Sequence, residues 1–175
     1  MSDNSYAMSF WASHRIRHLA LVPLALLPLI GLAFVFYPTL SSGFEVMQTS
    51  DDDTVFNHLT LEHTWCWLSG PCWDYGFWNP PFGYPLSNLK ATSDLLLSFA
   101  PVYWLPRLLG VNMWTSFSLW LMAMFLINYL AFYLFLRRCF DINVLGGAVG
   151  AMFFAFASPR TAQLEHPQLQ PHVFI

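Results

Sequence analysis

The chain has 175 residues, of which 56% are hydrophobic, 18% aromatic and only 10% charged, and its formal net charge is −3. A soluble domain carries about 25% charged residues, so the composition argues against a soluble globular protein and for a membrane one. The 7 bases flank apolar runs instead of gathering on one face, which excludes a basic nucleic-acid-binding surface.

In chain order, Met1 to His18 is a polar start that places Arg15 and Arg17 directly before an uncharged run, Leu19 to Tyr37. A helix needs about 20 apolar residues to cross the hydrocarbon core, so 19–37 is predicted as the first transmembrane helix. The run exceeds a signal-peptide core and no A-x-A-like site follows, which favours a retained anchor. Pro23 and Pro28 inside it are tolerated where neighbours satisfy the freed carbonyls. Residues 38–110 form a long non-spanning loop whose acids (Glu45, Asp51, Asp52, Asp53, Glu62, Asp74, Asp94) outnumber its bases, Lys90 and Arg107. Within it Thr54 to Leu68 is predicted helical, because the acids before it suit a helix N-terminus and Gly70-Pro71 stops it. Trp73 to Pro85 reads as an ordered irregular loop. Ser93 or Asp94 is placed to cap a second, interfacial helix, Leu95 to Leu109, bent at Pro101 and Pro106.

Residues 111–136 are the second predicted span, in which Asn128 is expected to make an interhelical hydrogen bond, and Arg137-Arg138 ends it. A cytoplasmic turn, 137–143, leads to a short third span, 144–158, built on the apolar run Val144 to Ala157, which Ile142 and Ser158 extend. Gly146, Gly147, Gly150 and Ala151 there allow close helix approach. Residues 159–175 emerge on the far side and lead toward a further, truncated span. The chain therefore reads as the N-terminal part of a longer protein. Arg15 and Arg17 at one end and Arg137 and Arg138 at the other mark cytoplasmic ends by the positive-inside rule. The expected fold is all-α and polytopic, with about three spans and a cytoplasmic N-terminus. The acidic loop and the segment after 159 share the outer face.

Asp51, Asp52 and Asp53 lead the candidates for chemistry. A carboxylate there would act as a general base toward a hydroxyl, or an Asp51/Asp53 pair would ligate a divalent metal such as Mg or Mn. The spacing does not choose between these, and helix capping with solvation is the competing role. Glu62 and His63 read as a polar helix face or as substrate contacts, and Asp94 as a cap or a contact. His166 and Gln168, in Glu165-His166-Pro167-Gln168-Leu169-Gln170, face the same compartment as the acids and are substrate-contact candidates. His166 and His172 lack metal-site spacing. Arg160 is an interfacial anchor or a partner for a phosphate. Cys66 and Cys72 would pair in an oxidising compartment, whereas Cys139 is expected as a free thiol. Trp73, Tyr75, Phe77, Trp78, Phe82 and Tyr84 form an interfacial belt or a platform for a sugar ring.

Taken together, these pieces resemble a family. Asp53 precedes Asn57 by four residues. Phe77 to Pro85 (FWNPPFGYP) and Ser93-Asp94-Leu95-Leu96 follow, then Phe153 to Arg160 (FFAFASPR) and His166-Pro167-Gln168-Leu169. This order is similar to the N-terminal third of bacterial polytopic membrane glycosyltransferases of the GT-C superfamily, in particular the YfhO-like members, over about residues 50–175. The resemblance implies a multi-span fold in the bacterial cytoplasmic membrane. It also implies a polyprenyl-phosphate-linked sugar as donor and a catalytic Asp in the first outer loop, which Asp53 matches. The family's Gly before that Asp is Asp52 here, so Asp51 and Asp52 stay candidates. A transporter or lipid flippase is disfavoured because the three predicted spans hold no Asp, Glu, Lys or Arg. A non-catalytic membrane subunit is the remaining alternative.

Overall fold

The computed structural model describes residues 22–49 and 52–171, with Asp52 and Ser158 described in backbone only. Residues 1–21, Ser50, Asp51 and 172–175 lie outside the described residues, and with them the start of the first predicted span and His172. Seven α-helices carry the described chain: α1 (Val22–Val35), α2 (Tyr37–Ser41), α3 (Asp52–Ser69), α4 (Ala100–Leu108), α5 (Met113–Cys139), α6 (Val144–Phe156) and α7 (Ser158–Thr161). Four 3-10 turns (Trp73–Tyr75, Pro81–Gly83, Leu89–Thr92, Pro167–Leu169) punctuate the loops, and no strand occurs among the described residues.

Among the described residues one helix, α5, is long and apolar enough to cross a membrane, and α1 is a shorter apolar helix. Asn112 caps α5 by accepting from the Thr115 N–H at 2.9 Å, and Arg137 closes its far end by donating to the Ile142 carbonyl at 2.5 Å. Asn143 then caps α6 through the Gly146 N–H. At 1.5 Å per residue α6 covers about 20 Å, less than the ~30 Å of a hydrocarbon core. The expected extension to Ser158 does not form, because Ala157 turns extended (ψ 156°) and ends the helix.

α6 lies along α5 as close as its small residues allow. Gly147, Ala148, Ala151 and Ala155 are buried. A Cβ at Gly147 would come within 3.2 Å of the Tyr133 ring, and one at Gly150 within 2.7 Å of Leu136. The bulky residues at the complementary positions, Leu145, Val149 and Phe153, face outward. α1 packs on both helices. Gly31 sits under the Phe156 ring, Phe36 meets Phe125 edge-on, and the Tyr129 hydroxyl donates to the Leu24 carbonyl at 3.1 Å.

The predicted loop helix forms as α3, but its buried face is polar. Thr54, Asn57, His58 and Leu61, at the spacing of one helix face, are all buried. The second loop helix differs from expectation. Leu96 adopts a positive φ (51°), so Leu95 to Ser98 are not helical; Ser93 instead ends the 3-10 turn Leu89–Thr92, and Phe99, not Ser93 or Asp94, precedes the first turn of α4. α4 begins only at Ala100, where Pro101 sits in the first turn that lacks N–H partners anyway.

Ala151→Leu is expected to lower the thermal unfolding midpoint in detergent by roughly 3–10 °C, because overpacking a tight contact costs about 1–3 kcal/mol. Val149→Leu, on the outward side, is expected to leave it unchanged. Equal midpoints for the two variants would contradict the close α5–α6 packing.

Candidate functional site

Asp53 lies in the first turn of α3, where the helix N-terminus favours a carboxylate. His166 Nδ1 donates to its Oδ2 at 2.7 Å, and Gln168 Nε2 donates to the same oxygen at 3.3 Å. A carboxylate only accepts, so the imidazole proton sits on Nδ1. These two bonds, His166's first, hold the Asp53 carboxyl below the usual carboxylate range, with burial opposing them. The pair stays open to solvent, with side chains 49% (Asp53) and 45% (His166) exposed. Of the two carboxylate oxygens Oδ2 is therefore anchored, and Oδ1 makes no hydrogen bond among the described residues.

The partners come from far along the chain and are themselves held. Pro167–Leu169 forms a 3-10 turn against α3. Gln170, one residue on, is fully buried. Its carbonyl accepts from Asn128 Nδ2 (2.6 Å) and Arg160 Nη1 (3.1 Å), and its side-chain amide donates to the carbonyls of Gln163 and Arg160. Asn128, predicted to bridge two helices, thus bonds this segment and its own helix at the Met124 carbonyl. Asn57 closes the ring: its Nδ2 donates to Gln168 Oε1 at 2.8 Å and to the Asp53 carbonyl at 2.7 Å.

The structure brings Asp53, His166 and Gln168 together; it does not bring Glu62 or His63 to them. Glu62 is nine residues further along α3, roughly 13 Å at 1.5 Å per residue. Its Oε1 pairs with Arg107 at 2.8 Å and its Oε2 accepts from Tyr103. Arg107 also donates to the Val111 carbonyl, so this cluster ties α3 and α4 to the start of α5. Burial, and then the bond to Glu62, raises the Tyr103 pKa. His63 is 5% exposed, with no hydrogen bond on either ring nitrogen among the described residues. Neither residue lies on a fully solvated helix face, because Tyr103 and Arg107 of α4 engage Glu62 and Lys90 lies near the buried His63.

Beside His63, Lys90 is buried with its Nζ 2.7 Å from Thr64 Oγ1 and 4.4 Å from the centre of the Phe77 ring, and burial pulls its pKa down to about 8. Of the aromatic loop, Phe77 and Phe82 turn inward, onto Trp67 and Phe56, while Trp73, Tyr75, Trp78 and Tyr84 remain exposed. Cys66 and Cys72 form a disulfide, and Cys139 is a free, exposed thiol. Asp94 lines a groove of about 390 Å³ together with Leu96, Phe99, Pro171 and Gln168. Arg160 lies at a separate cleft of about 430 Å³, mostly apolar, with Phe154, Pro159 and Leu169. Its guanidinium stacks over the Phe154 ring at 5.0 Å. Among the described residues no three His, Cys, Asp or Glu side chains gather as a metal site. Asp51 and the Asp52 side chain lie outside that description.

No family model, curated protein or solved structure matches the chain. The site's chemistry therefore rests on its geometry.

Asn57, Tyr103, Arg107 and Gln170 carry roles that sequence reasoning did not give them. Tyr103 and Arg107 did carry a signal: at i and i+4 they share one helix face, and Glu62 is an acid of the same loop in need of a partner.

His58 and His63 set an acid limit on this region. Burial, the largest cause for both, holds each imidazole down to about 4 from an ordinary 6.5; for His58 the bond to the Met113 carbonyl opposes it, and for His63 the Lys90 charge adds to it. Between those values the unfolded chain binds protons that the folded one does not, so stability falls as pH drops from 6.5 toward 4. Asp53, with a lowered pKa, loses its contribution only below that window. The unfolding midpoint is expected to fall between about pH 7 and about pH 4.5, and less steeply in His63→Leu. Parallel curves for wild type and variant would contradict this.

Proposed function

We propose that the chain belongs to a membrane glycosyltransferase of the GT-C type. It moves a sugar from a polyprenyl-phosphate-linked donor to an acceptor hydroxyl at the outer membrane face, and the Asp53 carboxylate is the general base. The observation that carries this reading is the half-open Asp53 whose Oδ2 is anchored by His166 and Gln168, while Oδ1 has no partner among the described residues. A base must be ionised, fixed and within reach of the proton it takes. An aspartate is ionised at neutral pH, and the two donors hold its Oδ2 in place. Oδ1 is the atom left to accept the acceptor's proton as its oxygen attacks the anomeric carbon and the lipid phosphate departs. The departing phosphate needs positive charge; Arg160, which bonds the Gln170 carbonyl and lines a mostly apolar cleft, is the base nominated for that role. The groove between Asp94 and Gln168 offers the acceptor a seat next to Asp53.

Three features support a polytopic membrane setting with this site outside. α6 turns large residues outward and small ones inward, the pattern of helices packed in lipid. α1 exposes Leu26, Leu29, Ile30 and Phe34. The Cys66–Cys72 disulfide fits an oxidising compartment, and the free Cys139 lies at the other end of α5, beside Arg137 and Arg138.

A second reading has its own support. With Nδ1–H donated to Asp53, His166 presents Nε2 as a lone pair, so the imidazole is the base and Asp53 orients it. Asp53→Asn is expected to abolish transfer by more than about a hundredfold with the protein still in the membrane. His166→Gln separates the readings, because it leaves partial activity if Asp53 is the base and none if His166 is. Wild-type turnover in Asp53→Asn would remove both.

A further inference from the structure

Asn57 is only 3% exposed, yet both hydrogen bonds of its amide nitrogen run toward the Asp53 site. One goes to the Asp53 carbonyl, which fixes the Asn57 amide against the helix backbone. The other goes to Gln168 Oε1. A glutamine amide has one acceptor end and one donor end. Once its oxygen is held by Asn57, its Nε2 must face the other way, onto Asp53 Oδ2. Flipped, it would set oxygen against carboxylate oxygen on one side and N–H against N–H on the other. The arrangement is a polarity lock of three residues, two of them four apart on α3 and the third 111 positions from Asn57.

We propose that Asn57 is a positioning residue for the Asp53 carboxylate, acting by fixing the orientation of the Gln168 amide. Its importance for catalysis rests on Asp53 taking part in the reaction as set out above, but the lock itself does not. Without Asn57 the Gln168 amide is free to rotate. Oδ2 then keeps only the His166 bond, and the carboxylate gains freedom about its χ2 torsion. Removing Asn57 and removing the Gln168 donor should therefore have one and the same consequence.

The test reads the carboxylate and not turnover. Protein with 13C-labelled aspartate side chains in detergent micelles is titrated by NMR, with the Asp53 signal assigned from Asp53→Asn. Asn57→Leu, Gln168→Leu and the double variant are compared with wild type, and far-UV circular dichroism checks folding. Each single variant is expected to shift the Asp53 titration upward by a similar amount, and the double variant to shift it no further, the signature of a shared interaction. Asn57→Ser, smaller but still a donor, is expected to lie nearer wild type and serves if the leucine variant does not fold. An Asp53 titration unchanged in the folded Asn57 variants, or single shifts that add in the double variant, would overturn the lock. Normal titrations together with inactive enzyme would count against it as well, while leaving the proposed reaction standing. A confirmed lock in a protein that transfers no sugar would overturn only the reaction.

Discussion

Asn128 is an amide set deep in the apolar helix α5, and an amide so placed must find polar partners. It finds them in the Met124 carbonyl of its own helix and in the Gln170 carbonyl of a segment 42 positions downstream. That second bond docks the chain after α7 onto α5. The Gln170 side chain then folds back onto Gln163 and Arg160, so the whole turn from Arg160 to Gln170 becomes one polar unit on an apolar base. The docking carries a penalty, since Asn128 Oδ1 and Gln170 Oε1 stay buried without a partner among the described residues. Each such atom costs about 1–3 kcal/mol. Against that penalty stands the placement it enforces, which sets His166 and Gln168 opposite Asp53.

The other half of the site depends on α3, a helix whose buried face is mostly hydroxyl, amide and imidazole. Several of these groups meet partners from other elements, while Thr60 Oγ1 and both His63 ring nitrogens stay buried without a hydrogen bond among the described residues. His58 lies among Trp114, Phe117 and Tyr103, Thr64 meets Lys90, and Asn57 meets Gln168. The two acids on this helix differ in what they leave accessible. Glu62 has both oxygens occupied by Tyr103 and Arg107 and is largely buried, so it fixes α4 and the start of α5 in place. Asp53 has one oxygen occupied and is half open. The first arrangement suits holding the structure together, and the second suits meeting a ligand.

Helical architecture is readable from the sequence because apolar runs and helix stops are local signals. The long run through α5 and the Gly70-Pro71 stop after α3 need no tertiary information. The start of α5 is set two residues later than its apolar run, because Val111 precedes the Asn112 cap and so lies outside the helix. The close α5–α6 contact is likewise legible, since glycine and alanine at helical spacing leave room for a neighbouring helix. The second loop helix is not. Its late start depends on Leu96 taking a positive φ, which side-chain type does not announce. In the site, the predicted topology puts Asp53, His166 and Gln168 in one compartment but cannot say that they touch. That contact spans more than a hundred positions and depends on Gln170 and Asn128. The roles of Glu62 and His63 are hidden for a related reason. A polar residue on a helix is read as solvated unless a partner is known, and Arg107, Tyr103 and Lys90 arrive from other elements.

The bond between His166 and Asp53 is one of three hydrogen bonds through which the two halves of the site meet, and 15N NMR of histidine-labelled protein in micelles observes it directly. With the bond in place, His166 Nδ1 is expected to carry a strongly deshielded proton, and to lose that deshielding in Asp53→Asn. A His166 signal that lacks this deshielded proton in the wild-type protein, and does not change in Asp53→Asn, would contradict the site as a whole.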